Sequence, residues 1–268
     1  MNRFSFYMTM LVFSLLHPQR GLQLLQTARQ VNEDSNYKHE YTPTHDRFED
    51  AIKSLFPEHD KKIEVIKNET QHLQTQLVAF FEGLKGEQFP SKKKPYPTEY
   101  SLDNVSGMFV YVLCRIYKPQ FVVETGVAYG NSSSFILQAL HENKKGHLYS
   151  IDHVFKPWES EKAIGSAIPA KLKDRWTLVF GPACKKLAET LGSIGQIDVF
   201  FHDSLHTYKN MTFEFNTAWP HLRKGGFLLS DDIGDNSAFH QFCSSLSLKP
   251  IIIGNKKESL FGVLQKPL

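Results

Sequence analysis

The sequence predicts an α/β fold: a seven-stranded, mostly parallel sheet with an antiparallel last strand, preceded by an N-terminal helical extension. Three observations predict it. From about residue 101 onward, short apolar runs alternate with helical patterns, which is typical of parallel strands joined by right-handed crossovers. The last two runs, 250–253 and 260–264, are separated only by residues 254–259, too few for a crossover, so they should form a hairpin. Residues 1–95 have helical patterns and few strand-like runs.

The elements follow in order along the chain. Strands are predicted at 121–126, 147–152, 177–181, 197–203, 225–232, 250–253 and 260–264, and helices at 105–117, 132–142, 184–191, 208–220 and 236–245. In the N-terminal part, Ile63 begins a helical pattern that runs to Phe81. The proline-bounded segment 90–97 is a linker. We therefore divide the chain into a helical extension, 1–95, and an α/β domain, 96–268.

A glycine turn follows the first strand. The strand carries Glu124 near its end, Gly126 and Gly130 come next, and a polar cluster opens the following helix. Strand, glycine turn and helix N-terminus form the arrangement in which open α/β sheets bind nucleotides. Gly126 should allow a tight turn and a close approach of ligand to backbone, and Asn131 or Ser132 should cap the helix. The alternative is a tight turn without a ligand.

The second strand ends in an acid, Asp152, which follows Gly130 by 22 residues. An acid at this position binds the ribose hydroxyls in dinucleotide folds, and we expect the same role here. The alternatives are a helix cap or a surface charge.

Acids also end the fourth and fifth strands. Asp203 and His206 follow the fourth strand, and Asp231 and Asp232 follow the fifth. Because neighbouring parallel strands present their carboxyl ends at one edge, these groups should converge. Three close carboxylates repel each other, and Mg²⁺ would relieve this by taking oxygen ligands from Asp203, Asp231 and Asp232. The alternative is that Asp231 or Asp232 caps the next helix.

The pattern from Glu124 to Ser132, E-x-G-x-x-x-G-x-S, resembles motif I of class I S-adenosylmethionine (SAM) methyltransferases, which have a Rossmann-like fold. The resemblance covers about residues 100–268. It implies cofactor contacts, and the residues expected to make them are Glu124, Gly126, Ala128, Gly130, Ser132, Asp152, His153, Gly181 and Asp203.

The acids of the fourth and fifth strands resemble those of metal-dependent O-methyltransferases of the catechol and caffeoyl-CoA types and their natural-product sugar relatives. Catechol-type enzymes have a lysine base three residues after the first acid, where this chain has His206. The D-x-x-H sequence at 203–206 also resembles a broad methyltransferase group. His206 and Asp203 are the expected catalytic residues, and His206 can be a general base, a metal ligand or a cofactor contact.

Composition excludes other partners. The formal net charge is +3, too small to indicate nucleic acid, and no D/N-P-P-Y/F element follows the fourth strand. The three cysteines are widely separated, which favours a reducing, cytoplasmic compartment. The apolar segment 4–16 is short for a membrane span and lacks a cleavage site after it, so we expect a buried or self-associating helix and no membrane partner.

The sequence thus predicts a cytoplasmic, SAM-dependent O-methyltransferase that acts on a small hydroxylated molecule with the help of Mg²⁺. Two alternatives stay open: metal-free methyl transfer with His206 as the base, and a SAM-binding protein without catalysis. The helical extension should pack over the active site or mediate a homodimer.

Overall fold

The structure is a computed structural model, and it describes residues 3–98, 102–254 and 260–268. Ser101, and all of the predicted hairpin connection 254–259 except Gly254, lie outside the described residues.

The sheet has the predicted architecture. Its strands are β1 (Phe121–Thr125), β2 (His147–Asp152), β3 (Trp176–Phe180), β4 (Ile197–His202), β5 (Leu222–Ser230), β6 (Ile251–Gly254) and β7 (Leu260–Gln265). They are ordered β3-β2-β1-β4-β5-β7-β6, and β7 runs antiparallel to both of its neighbours. The predicted seven-stranded Rossmann-like sheet with an antiparallel last strand is therefore confirmed.

The central strands are buried on both faces. Every residue of β4 is buried, and β1 is buried after its first residue. Helices cover both sides of the sheet, so these strands are nearly continuous apolar runs without polar alternation. From β1 to β3 the strands are added on one side of β1, and from β4 onward they are added on its other side. The carboxyl ends of β1 and β4 therefore border the crevice where such folds bind ligands.

The helix α6 (Asn104–Tyr117) leads into β1, and four helices of the described residues lie between strands: α7 (Asn131–Glu142), α8 (Ala183–Ile194), α9 (Tyr208–Ala218) and α10 (Ala238–Ser245). Asp103 caps α6 by accepting from the Val105 and Ser106 amides. The predicted cap of α7 was wrong, because the N-cap is Gly130 and no side chain accepts there. Asn131 donates to the Leu102 carbonyl, 2.5 Å away, and Ser132 donates to Glu124.

The N-terminal part is helical, as predicted. Its helices are α1 (Arg3–Leu16), α2 (Pro18–Asp34), α3 (Phe48–Leu55), α4 (Asp60–Asn68) and α5 (Gln71–Glu82). The single helical pattern from residue 63 to 81 is in fact two helices, with a break at Glu69 and Thr70. Glu69 accepts hydrogen bonds there from Tyr111 and Arg115 of α6. Buried residues of α3, α4 and α5 join the core that covers one face of the sheet.

The helices α1 and α2 form a hairpin that is poorly buried. Leu15 of α1 is 73% exposed and Leu25 of α2 is 71% exposed. Within the apolar segment, the structure therefore buries none of residues 5–16. None of the helices among residues 3–98, 102–254 and 260–268 has the length and apolar character needed to cross a membrane.

Candidate functional site

A cavity of about 950 Å³ lies at the carboxyl ends of the parallel strands. Its walls include the glycine turn after β1, the end of β2, and the segments that follow β4 and β5. The helix α2 closes one side. The cavity is the candidate functional site because it joins the predicted cofactor residues to the predicted catalytic acids.

The glycine turn after β1 has the tight conformation that the sequence predicts. Gly126 has φ +82° and donates its amide to the Ile151 carbonyl at 3.0 Å. A Cβ at Gly126 would collide with the backbone carbonyl of Asp203. Gly130 has φ +91°, and a Cβ there would lie 2.6 Å from Ile168. Both positions require glycine because of backbone conformation and protein packing.

Glu124 lies beneath the turn and is fully buried. Its carboxylate accepts hydrogen bonds from Ser132 at 2.5 Å, Ser133 at 2.6 Å and Ser150 at 2.8 Å. Burial raises the pKa of Glu124 to about 7 despite these donors. The residue is not among those that line the cavity. Its position favours a role in fixing β1, β2 and α7 around the turn over the direct cofactor contact that the motif predicted.

Asp152 lies in the cavity at the end of β2, where the sequence predicts a ribose contact. One carboxylate oxygen accepts from the amides of Val127 and Ala128, at 3.0 and 2.9 Å, and the other accepts from His153. Burial raises the pKa of Asp152. The oxygen that accepts from His153 keeps a lone pair for a further donor, and Ala128 and His153 also line the cavity. Gly181, the residue after β3, does not line the cavity.

The acids after β4 and β5 do converge. His202 and Ser230 pair in the sheet, so the next residues, Asp203 and Asp231, leave neighbouring strands side by side. Burial, and then the charge of Asp231, raise the pKa of Asp203 well above its ordinary value. Burial and the charge of Asp232 raise the pKa of Asp231 in the same way. One oxygen of Asp231 is buried without a hydrogen-bond partner among the described residues.

His206 also lies in the cavity, with its Nδ1 3.6 Å from the carboxylate of Asp232. Burial, and then the neighbouring His202, lower the pKa of His206 to about 4, so the ring is neutral at neutral pH. Its Nε2 is buried and has no hydrogen-bond partner among the described residues. Possible ligand atoms of His206, Asp232 and Asp235 lie within 4.8 Å of one another, the one such group found within the described residues.

Three features of the site were missed by the sequence reasoning. Asp235 joins the acid cluster through a short 3-10 turn, and the acid-rich sequence 231–235 could have indicated it. His202 is fully buried beside His206 and pairs with Glu214 at 2.6 Å. Tyr96 reaches the cavity from the segment before α6, and no pattern in the sequence indicates that.

The helix α2 also contributes a wall that the sequence only hinted at. Gln23, Gln26, Thr27, Gln30 and Asp34 line the cavity. Their spacing of three and four residues places them on one face of the helix. Asp34 accepts the amide of Tyr208 at 2.7 Å, which docks the end of α2 on the first turn of α9. The helix α2 of the extension therefore forms part of the cavity wall.

Comparison with known proteins gives a class for this fold and site. Residues 123–233 match the model of a family described as a methyltransferase domain. No curated protein matches the chain.

Solved structures with a similar fold include three methyltransferases. The Podospora anserina methyltransferase PaMTH1, bound to S-adenosylhomocysteine (SAH), is 16% identical, with a TM-score of 0.52 over 71% of this chain and 88% of its own. The O-methyltransferase TomG of Streptomyces achromogenes, involved in tomaymycin synthesis and bound to SAM, is 18% identical, with a TM-score of 0.52 over 70% and 95%. An O-methyltransferase of Bacillus cereus bound to SAH is 17% identical, with a TM-score of 0.50 over 81% and 96%.

At these identities the structural likeness establishes the fold. Over residues 123–233 the chain therefore matches a methyltransferase domain, and its sheet has the Rossmann-like fold of these solved structures.

Proposed function

We propose that the chain transfers the methyl group of SAM to a hydroxyl oxygen of a small molecule, with a divalent cation at the acceptor end of the cavity. The observation that carries the proposal is the shared cavity: Gly126 and Asp152 line it together with His206, Asp231 and Asp232. One set of groups suits a nucleoside cofactor, and the other suits an acidic hydroxyl and its proton. Two of the similar solved structures are O-methyltransferases, which supports oxygen as the acceptor atom.

The residues at the cofactor end of the cavity position SAM for methyl transfer. Asp152 would accept a hydrogen bond from a ribose hydroxyl, and the backbone between Gly126 and Ala128 would lie against the nucleoside. Methyl transfer is an in-line displacement, so the cavity must hold the acceptor oxygen behind the methyl carbon at the correct angle. The α2 wall, fixed at Asp34 to the start of α9, limits where an acceptor can lie.

The residues at the acceptor end of the cavity remove the proton of the substrate hydroxyl. His206 is neutral because burial lowers its pKa to about 4, so it is able to accept a proton from the substrate hydroxyl. A base with so low a pKa is weak, and it needs a hydroxyl that is already acidified. Asp232, 3.6 Å from Nδ1 of His206, would stabilise the imidazolium after transfer.

The residues present fit a hard divalent cation. Asp203, Asp231 and Asp232 offer carboxylate oxygens, which Mg²⁺ prefers, and one oxygen of Asp231 is buried without a partner among the described residues. Asp232 also belongs to the group with Asp235 and His206. We place the cation at Asp232 with His206 and Asp235, the group whose ligand atoms lie within 4.8 Å of one another; Asp203 and Asp231 do not belong to that group. A bound cation would lower the pKa of a coordinated substrate hydroxyl.

The N-terminal hairpin has a second proposed role, self-association into a homodimer. The exposed apolar side chains of α1 include Tyr7, Met8, Leu11, Val12 and Leu15. Such a patch on a water-soluble surface indicates a protein interface. Light scattering on the wild-type chain and on a Leu11→Glu/Leu15→Glu variant tests this role. We expect the wild-type chain to be a dimer and the variant to be a monomer. A monomeric wild-type chain contradicts the proposal.

The cysteines are consistent with a reducing compartment. Cys114, Cys184 and Cys243 are all free in the structure. Free thiols are stable in a reducing compartment, which supports the proposed cytoplasmic location.

The function is tested with methyl-labelled SAM and a panel of phenols, catechols and sugar hydroxyls, with Mg²⁺ or with excess EDTA. We expect labelled product with Mg²⁺ and a loss of turnover in EDTA, while calorimetry shows SAH binding in both. Asp232→Asn should act like EDTA, whereas Asp174→Asn, an exposed acid outside the cavity, should not.

Each alternative has its own result. Full turnover in EDTA with a loss in His206→Ala indicates metal-free transfer with His206 as the base. SAH binding without any product on the panel favours a binding protein. No SAH binding by the wild-type chain contradicts the proposal altogether.

A further inference from the structure

Tyr96 has an unexplained polar atom at the cofactor end of the cavity. The residue lies between α5 and α6, lines the cavity and is only 8% exposed. Its hydroxyl is buried and has no hydrogen-bond partner among the residues that the structure describes. A buried hydroxyl without a hydrogen-bond partner destabilises the protein. A ligand that forms a hydrogen bond with this hydroxyl removes that cost.

Contacts with Tyr129, which lies in the glycine turn after β1, hold Tyr96 in place. The Tyr129 hydroxyl donates to the Tyr96 carbonyl at 3.1 Å and accepts the Tyr96 amide at 3.3 Å. The two rings meet edge to face, with centroids 5.2 Å apart. Phe80 and Phe81 of α5 pack in turn against the Tyr129 ring, at 5.5 and 5.9 Å. The hydroxyl of Tyr96 is therefore positioned before any ligand binds.

Two carboxylates act electrostatically on this hydroxyl. Burial, and then the negative charges of Asp152 and Glu159, raise the pKa of Tyr96. The phenol therefore stays neutral and can donate a hydrogen bond. The Glu159 carboxylate already accepts the amides of Phe155 and Lys156, at 2.7 and 2.9 Å. Asp152 ends β2, at the position where an acid binds ribose hydroxyls in open α/β sheets, so we assign this acid to the ligand on this side.

A ribose diol can form hydrogen bonds with both Asp152 and Tyr96. A ribose hydroxyl that donates its proton to Asp152 still has lone pairs on its oxygen that need a donor. Carboxylates cannot supply one, because ionised acids only accept. A neutral phenol on the same side of the cavity can.

We propose that Tyr96 is a cofactor-binding residue whose hydroxyl donates to a ribose hydroxyl of SAM that in turn donates to Asp152. The proposal rests on the proposed function, because it takes SAM as the ligand of this cavity. It assigns Tyr129 the separate role of positioning Tyr96 through the backbone.

The test is calorimetric binding of SAH, and of SAH analogues that lack the 2′- or the 3′-hydroxyl, to the full chain. Tyr96→Phe removes only the hydroxyl. Tyr41→Phe is the matched control, because the Tyr41 hydroxyl is also buried without a described partner but lies outside this cavity. Circular dichroism and thermal unfolding verify that both variants fold.

We expect Tyr96→Phe to weaken SAH binding by about 3- to 10-fold, the effect of one hydrogen bond, and Tyr41→Phe to leave it unchanged. With the analogue that lacks the contacted hydroxyl, wild type and Tyr96→Phe should bind equally. Equal SAH affinity of wild type and Tyr96→Phe overturns the proposal. A loss that persists with both analogues, or that Tyr41→Phe shares, also overturns it. A wild-type chain that binds no SAH overturns the proposed function instead.

Discussion

Replacing Gly126 with alanine should damage the fold before it affects the ligand. Gly126 has φ +82°, a conformation that L-residues adopt at a cost. The added Cβ would run into the backbone carbonyl of Asp203 and lie 2.8 Å from the Cα of Ser204. These are main-chain atoms at the end of β4, so no side-chain rotation can relieve the contact.

The magnitude follows from two contributions. A left-handed backbone costs alanine about 1–2 kcal/mol. Forcing β4 and its following turn away costs about 1–3 kcal/mol, as overpacking does in cores. The sum of about 2–5 kcal/mol corresponds to a fall in Tm of roughly 4–20 °C for a domain of this size.

Thermal unfolding of the purified chain measures the effect, and Gly192→Ala is the matched control. Gly192 lies within α8, and a Cβ there has no atom within 4 Å. Alanine at that position should stabilise the chain by about 0.5–1 kcal/mol. If Gly126→Ala unfolds at the wild-type temperature and loses only SAH affinity, the glycine serves ligand approach and the packing argument is refuted.

Further predictions concern charge and packing around the site. Because burial raises the pKa of Glu124 from 4.5 to about 7, the folded state retains its proton longer than the unfolded state. The free energy of unfolding should therefore fall by about 3 kcal/mol as pH rises through this window. Urea unfolding at pH 5 and pH 8 should show this fall in wild type and a smaller one in Glu124→Gln; equal falls contradict the assignment. Phe81→Ala removes packing on Tyr129, so it should lower both the Tm and, by loosening the turn, the affinity for SAH measured by calorimetry. Loss of Tm with unchanged affinity would show that the turn does not depend on α5. Asp34→Ala removes an acceptor at the start of α9 and should cost about 1 kcal/mol in thermal unfolding; an unchanged Tm contradicts the docking of α2 there.

The strand ends show how far the sequence could go. Alternating apolar runs and helical patterns predict parallel strands, and parallel strands put Asp152, Asp203 and Asp231 at one edge whatever the details of packing. The hairpin of β6 and β7 followed from connection length alone. These inferences needed only local patterns and the geometry of the sheet.

Contacts between distant residues were beyond such reasoning. Motif I predicts a cofactor contact for Glu124, yet Ser150, 26 residues away, helps to bury its carboxylate under the turn. The reason for Gly126 lies at the end of β4, and only the packed sheet brings those atoms together. Asp235 joins Asp232 and His206 through the conformation of a short turn that the sequence leaves open.

The sequence by itself determined the class of fold, the glycine turn and the edge of the sheet at which the acids gather. Local periodicity and strand direction fix these, and both are properties of neighbouring residues. Only the tertiary structure decided that α2 covers the cavity, that Glu124 is buried and that Tyr96 reaches the site. Each of these depends on side chains that pack across long separations, such as Tyr96 and Tyr129, 33 residues apart, and local pattern does not encode such contacts.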